Sequence, residues 1–179
     1  HVEKISNLNK LANYYLQYIE EVIETTGQNE YNLLGWSLGG QIVLEIAAIL
    51  ERKGVKKINV YLLDTLIIDD KMKKMKESIG ITVMKDSIID NIKNFNYEET
   101  YLNRLLANLD VEDKILLQEV SYNLENTKVI LFKAMQKQIV IHEGVDAMLH
   151  YMVSLPYNNV ENIINNLDNI KLVQMSDVT

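Results

Sequence analysis

The chain has 179 residues, enough to bury one sizeable core, and its 47% hydrophobic and 24% charged residues are the balance of an ordinary globular protein. A formal net charge of −7 offers nothing to a phosphate backbone and disfavours an anionic membrane surface, so neither nucleic acid nor membrane is expected as a partner. The absence of cysteine excludes disulfides, thiolate-held metals and thiol nucleophiles and fits a cytoplasmic setting.

Ser6 is placed to cap a first helix, in which Leu8, Leu11, Ala12, Tyr15, Leu16, Ile19, Val22 and Ile23 recur at three- and four-residue spacing up to Gly27. The apolar run "YNLLGW" reads as a buried strand, residues 39–53 return to helical spacing and stop at Gly54, and "INVYLLD", 58–64, is a second buried strand. Near-continuous apolar strands separated by a helix predict a parallel sheet covered on both faces, hence an α/β fold. Residues 67–126 are charged, helix-favouring and poor in strand signal, as in "EETYLNRLLANLDVEDKILLQEV". They read as a helical insertion. "TKVILFKAM", 127–135, resumes the strand signal, "NNVENIINNL" reads as a helix, and "NIKLVQM", 169–175, is the last strand. The expected organisation is one domain over 1–179: core 1–66, insertion 67–126, core 127–179.

Gly35-Trp36-Ser37-Leu38-Gly39 fits G-x-S-x-G, and a strand before it with a helix after it is the context that the motif requires. A sharp turn there lifts the Ser37 hydroxyl above the sheet, and Gly35 and Gly39 are expected to clear the space where strand and helix approach. Gly40 extends that tolerance. The backbone N–H of Leu38, at a helix N-terminus, is placed to bind a developing oxyanion. A dinucleotide-binding G-x-G-x-x-G is absent, and no phosphate-binding lysine follows.

A serine hydroxyl needs a base, and the base needs an orienting acid. Asp64 ends the second strand, at the same edge of the sheet as Ser37 and later in the chain, as the Ser…Asp…His order demands. Asp69 and Asp70 are rivals within the insertion. In that order the base follows the last strand. His142 and His150 lie before it, so either one of them is recruited or the histidine lies beyond Thr179, which is the reading preferred here.

"YNLLGWSLGG" with "VYLLDTL" downstream closely resembles the thioesterase domains of non-ribosomal peptide synthetases, type I thioesterases of the α/β-hydrolase superfamily. The helix "LANYYLQYIEEVIETTGQ" before the motif is similar as well. The resemblance implies a mostly parallel sheet flanked by helices, with a helical lid where residues 67–126 stand. It implies Ser37 as nucleophile and Asp64 as triad acid. The implied activity is release of an acyl or peptidyl chain, delivered by a carrier protein on its phosphopantetheine arm, through an acyl-serine intermediate and by hydrolysis or macrocyclisation. The domain itself would bind no cofactor.

Two departures accompany the resemblance. Family members begin with further strands, whose loop donates the second oxyanion N–H, and their histidine follows the final strand. The sequence from His1 to Thr179 therefore reads as truncated at both ends and is expected to be inactive as it stands. Met72, Met75 and Met84, with Ile88, Ile89, Ile92, Leu102, Leu105 and Leu106, are candidates to line an apolar pocket. Lys71, Lys73, Lys74 and Lys76 form a solvated face or a contact for an acidic carrier. The alternatives are a free-standing small-molecule esterase and a non-catalytic hydrolase-fold binding module.

Overall fold

The computed structural model describes residues 5–80, 98–137 and 140–177, with 82, 83, 86 and 89 between them, and leaves aside the side chains of 102, 105, 106 and 110. Four strands, β1 (Tyr31–Trp36), β2 (Ile58–Leu63), β3 (Lys128–Ala134) and β4 (Ile170–Met175), form one sheet in the order β1-β2-β3-β4. Every pairing is parallel. A parallel neighbour must be reached by a crossover, and helix α2 (Leu38–Arg52) makes the first one.

Helix α1 (Leu8–Thr26) packs on α2, which packs on β1 and β2. The cap of α1 is Asn7, one residue after the expected Ser6: the Asn7 carboxamide oxygen accepts the Lys10 N–H at 2.9 Å. The core lies between α2 and one face of the sheet, where Leu44, Ala47, Ala48 and Leu50 meet Leu33, Val60, Leu62, Val129 and Leu131. The strands were expected to be buried on both faces. In β2 burial instead alternates, with Ile58, Val60 and Leu62 enclosed and Asn59, Tyr61 and Leu63 half-buried. Among the described residues α2 covers one face, and the other leaves a cavity of about 230 Å³ beside Tyr61, Ile130 and Lys171.

Between β2 and β3 the described secondary structure is helical: α3 (Asp70–Ile79) and α4 (Glu99–Leu116). Helix α5 (Glu143–Ser154) lies between β3 and β4, and the segment expected to be helical, 158–167, is not an α-helix. It holds a short 3₁₀ turn (Val160–Ile163) and a parallel bridge from Ile164 to Leu124. Asn158 and Asn159 both adopt left-handed backbone (φ 54° and 62°), where asparagine is tolerated better than most residues, and this breaks the helical run. No described helix is long and apolar enough to cross a membrane.

Candidate active site

Ser37 stands at the junction of β1 and α2 with φ 49° and ψ −120°. Such backbone costs a non-glycine residue about 1–3 kcal/mol and persists only where the surroundings enforce it. Here the Ser37 N–H donates to the Leu63 carbonyl at 3.0 Å, and the Gly40 N–H donates to the Ser37 carbonyl at 3.0 Å. Serine at a helix N-cap ordinarily spends its oxygen on a backbone N–H of the first turn. Ser37 makes no such bond, and the residue is exposed. Leu38 opens the helix, so its N–H belongs to the first turn, whose donors have no partner inside the helix.

The glycines act differently from expectation. A Cβ on Gly35 would collide with the Gly39 carbonyl oxygen and lie 2.5 Å from the Gly40 Cα, and one on Gly40 would collide with the Thr65 hydroxyl and lie 2.6 Å from its Cβ. Gly39, expected to share this duty, has nothing within 4 Å of such an atom. The close approach therefore runs through Gly35 and Gly40: the strand passes beneath the first turn of α2, which in turn rests on the buried Thr65.

Parallel register brings Asp64 beside the serine. Trp36 pairs with Leu63, so the next residues along, Ser37 and Asp64, emerge side by side from neighbouring strands, which are spaced ~4.8 Å apart. Asp64 is also left-handed (φ 45°) and exposed. Its N–H donates to the Phe132 carbonyl at 2.8 Å. Its Oδ1 accepts the Ala134 N–H at 3.2 Å and the Asn158 amide at 3.4 Å, while Oδ2 has no hydrogen-bond partner among the described residues. Of the rivals, Asp69 caps α3 through the Met72 N–H at 2.8 Å, and Asp70 pairs with Lys73 at 3.3 Å.

Ser37 and Asp64 line one cavity of about 280 Å³, with Trp36, Leu66, Lys133, Leu149, Met152 and Val153 among its walls. Neither His142 nor His150 lines it. His142 caps α5 by accepting the Val145 N–H at 3.4 Å, and His150 is exposed beside Asp146 at 3.7 Å.

The apolar wall was expected from the insertion and comes from α5. Met72 is buried in packing, and neither it, Met75 nor Ile89 lines the cavity. Met84, Ile88 and Ile92, and the side chains of Leu102, Leu105 and Leu106, lie outside the described residues. Of the four lysines, Lys73 pairs with Asp70, Lys76 with Asp113, and Lys71 sits 3.8 Å over the Tyr151 ring. Sequence reasoning passed over Lys133 and Asn158. The signal for Lys133 was a cation at a buried parity of "KVILFKA"; Asn158 carried none beyond its doubled asparagine.

The model of a family described as "Thioesterase domain" matches residues 1–78. Gramicidin S synthase 2 of Brevibacillus brevis is 25% identical over 136 residues, 75% of this chain and 3% of that protein. N-(5-amino-5-carboxypentanoyl)-L-cysteinyl-D-valine synthase of Amycolatopsis lactamdurans is 33% identical over 107 residues, 59% of this chain and 3% of that protein. The chain thus spans a small part of these curated relatives. Among solved structures, the NocB thioesterase domain from the nocardicin cluster superposes with a TM-score of 0.58 at 15% identity, covering 98% of this chain and 66% of that one, a likeness of fold. Residues 1–78 thus resemble the thioesterase-domain family, and the chain as a whole shares its fold, a parallel sheet flanked by helices, with the NocB thioesterase domain.

Proposed function

We propose that this chain carries the nucleophile and the acid of a serine thioesterase that releases an acyl or peptidyl chain from the phosphopantetheine arm of a carrier protein. The observation that carries the reading is the pairing of two strained strand-end residues, Ser37 and Asp64, at one cavity. Ser37 Oγ attacks the thioester carbonyl carbon while a histidine takes its proton. The Leu38 N–H stabilises the resulting oxyanion, and collapse of the tetrahedral intermediate expels the thiol, which receives the proton. Losing one such oxyanion donor typically slows a reaction about 100- to 1,000-fold. Water, or an amine or hydroxyl of the chain itself, then resolves the Ser37 ester to a free acid or a macrocycle. Asp64 Oδ2, without a hydrogen-bond partner among the described residues, is the atom suited to hold the imidazole, since Oδ1 is already anchored to Ala134 and Asn158. His142 as a helix cap and His150 beside Asp146, neither lining the cavity, support a histidine other than these two as the base.

The test is Ser37→Ala in the intact protein, assayed for release from an acylated carrier and for labelling by a fluorophosphonate. Both are expected to vanish with the thermal unfolding midpoint unchanged, because Ser37 caps nothing with its side chain. Retained release would remove this serine from the mechanism.

A further inference from the structure

One buried ionisable group at this cavity is unused by the chemistry above. Lys133 is 2% exposed and lies on the buried parity of β3 with Val129 and Leu131, where an aliphatic residue would be ordinary. Its ammonium donates to two main-chain carbonyls, Val153 at 2.9 Å and Leu155, at the C-terminal end of α5. The last carbonyls of a helix lack intrahelical partners and attract positive charge, so one ammonium ties this helix end to the sheet. Residues on either side of Lys133 hold Asp64: the Phe132 carbonyl accepts its N–H, and the Ala134 N–H donates to its Oδ1. The helix that Lys133 ties down supplies Leu149, Met152 and Val153 to the wall of the cavity.

We propose that Lys133 is a positioning residue for this site: its ammonium pins the α5 wall against the strand end that holds Asp64 and supplies fixed positive charge to the acid's side of the cavity. The inference rests on the reading of Ser37 and Asp64 given above. The charged groups around it are consistent with that role. Asp64 acts on it from the end of β2 and Glu161 from the 3₁₀ turn, where Glu161 Oε2 is buried without a hydrogen-bond partner among the described residues. Lys137, following β3, shares the cavity and is held by Asp146 of α5 at 2.5 Å, with His150 on the far side of that carboxylate. Burial pushes the Lys133 pKa below the ordinary lysine value, and the charges of Asp64 and Glu161 oppose that shift.

The experiment measures fluorophosphonate labelling of the intact protein against pH for wild type, Lys133→Met and Lys133→Arg, with thermal unfolding in parallel. Lys133→Met is expected to label about 10- to 100-fold more slowly through misplacement of the acid and the wall. The acid limb of its profile is expected to move to higher pH, because removing a cation makes the base easier to protonate. Lys133→Arg restores the position of the limb. An unchanged rate and limb would overturn the proposal, and so would a slower rate with an unmoved limb, since packing alone would produce it. If Lys133→Met does not fold, Lys133→Gln keeps an N–H for the carbonyls without the charge, and the limb is read there with the same consequences. Ser37→Ala separates the two levels. Labelling that survives in Ser37→Ala overturns the site itself, whereas silent Ser37→Ala beside wild-type behaviour of Lys133→Met overturns the Lys133 role alone.

Discussion

The two sides of the Ser37 cavity are built by different physics. One side is a pair of strand ends, where Ser37 and Asp64 sit in left-handed backbone and are locked by main-chain bonds to Leu63 and Phe132. The other is the end of α5, an apolar wall of Leu149, Met152 and Val153 held by side-chain bonds to other elements: Lys133 of β3 donates to its last carbonyls, and its own Tyr151 donates to Asp69. A strained turn restricts which residues can occupy neighbouring positions, so it leaves a local pattern in the chain. A wall made by packing accepts any apolar residues of suitable volume and leaves no pattern. Chemistry is expected to be concentrated on the first side and tuning on the second.

The largest expected effect falls on the strand-end side. Asp64→Asn keeps the shape of the side chain and its contacts with Ala134 and Asn158 but removes the charge that would stabilise an imidazolium. Under the proposed mechanism acylation of Ser37 is expected to slow by roughly 1,000- to 10,000-fold without vanishing, since the Leu38 N–H would still be there to bind the oxyanion. Stopped-time fluorophosphonate labelling measures this directly. Unchanged kinetics would shift the acid's role to another residue and break the contrast.

How much of this was legible follows the same division. The class, the four strands and the elbow could be read from the order of apolar runs and from the crowding of glycines around one serine, and the place of Asp64 from its position at the end of "INVYLLD". Helix α5 and the irregular path of 155–169 could not. "VIHEGVDAMLHYM" has weak periodicity, and the left-handed pair Asn158–Asn159 is fixed by tertiary bonds: Asn158 to the Thr65 carbonyl at 3.1 Å and Asn159 to the Ile67 carbonyl at 2.9 Å. Even within the elbow, the sequence pattern could not tell which glycine is constrained. G-x-S-x-G names Gly39, while the collision belongs to Gly40, outside the motif.

That distinction gives an effect of intermediate size. Gly40→Ala drives a methyl group into the buried Thr65 side chain and is expected to destabilise by about 1–3 kcal/mol, roughly 2–12 °C in Tm at 2–4 °C per kcal/mol for a chain of this size. Gly39→Ala adds a methyl in open space at the start of α2, and its Tm is expected to stay level or rise slightly, alanine being the better helix former by up to about 1 kcal/mol. Thermal unfolding of the two variants side by side decides it. Equal losses would mean that Gly39 is as tightly constrained as Gly40.

The smallest effect tests how the packed wall is held. Asp69 caps α3 and accepts the Tyr151 hydroxyl of α5 at 2.6 Å and the Asn159 amide at 3.1 Å. Burial by itself would raise its pKa. The hydrogen bonds from Tyr151, from the Met72 N–H, from Asn159 and from the Lys71 N–H outweigh that and hold it below the usual aspartate value. Because the folded state lowers this pKa, the stability it contributes is fully present above the unfolded value, about 3.9, and is lost as pH falls through the folded one. Asp69→Asn keeps a capping oxygen for Met72 but gives up the charge, so at pH 7 it is expected to be less stable by about 1–2 kcal/mol, between the values for neutral hydrogen bonds and for bonds to a charged group. The gap between variant and wild type in Tm is expected to close as the pH is lowered below the folded pKa. A gap that persisted in acid would mean that Asp69 acts through shape alone, and that the junction between α3 and the α5 wall depends on packing rather than on a carboxylate shared by three elements.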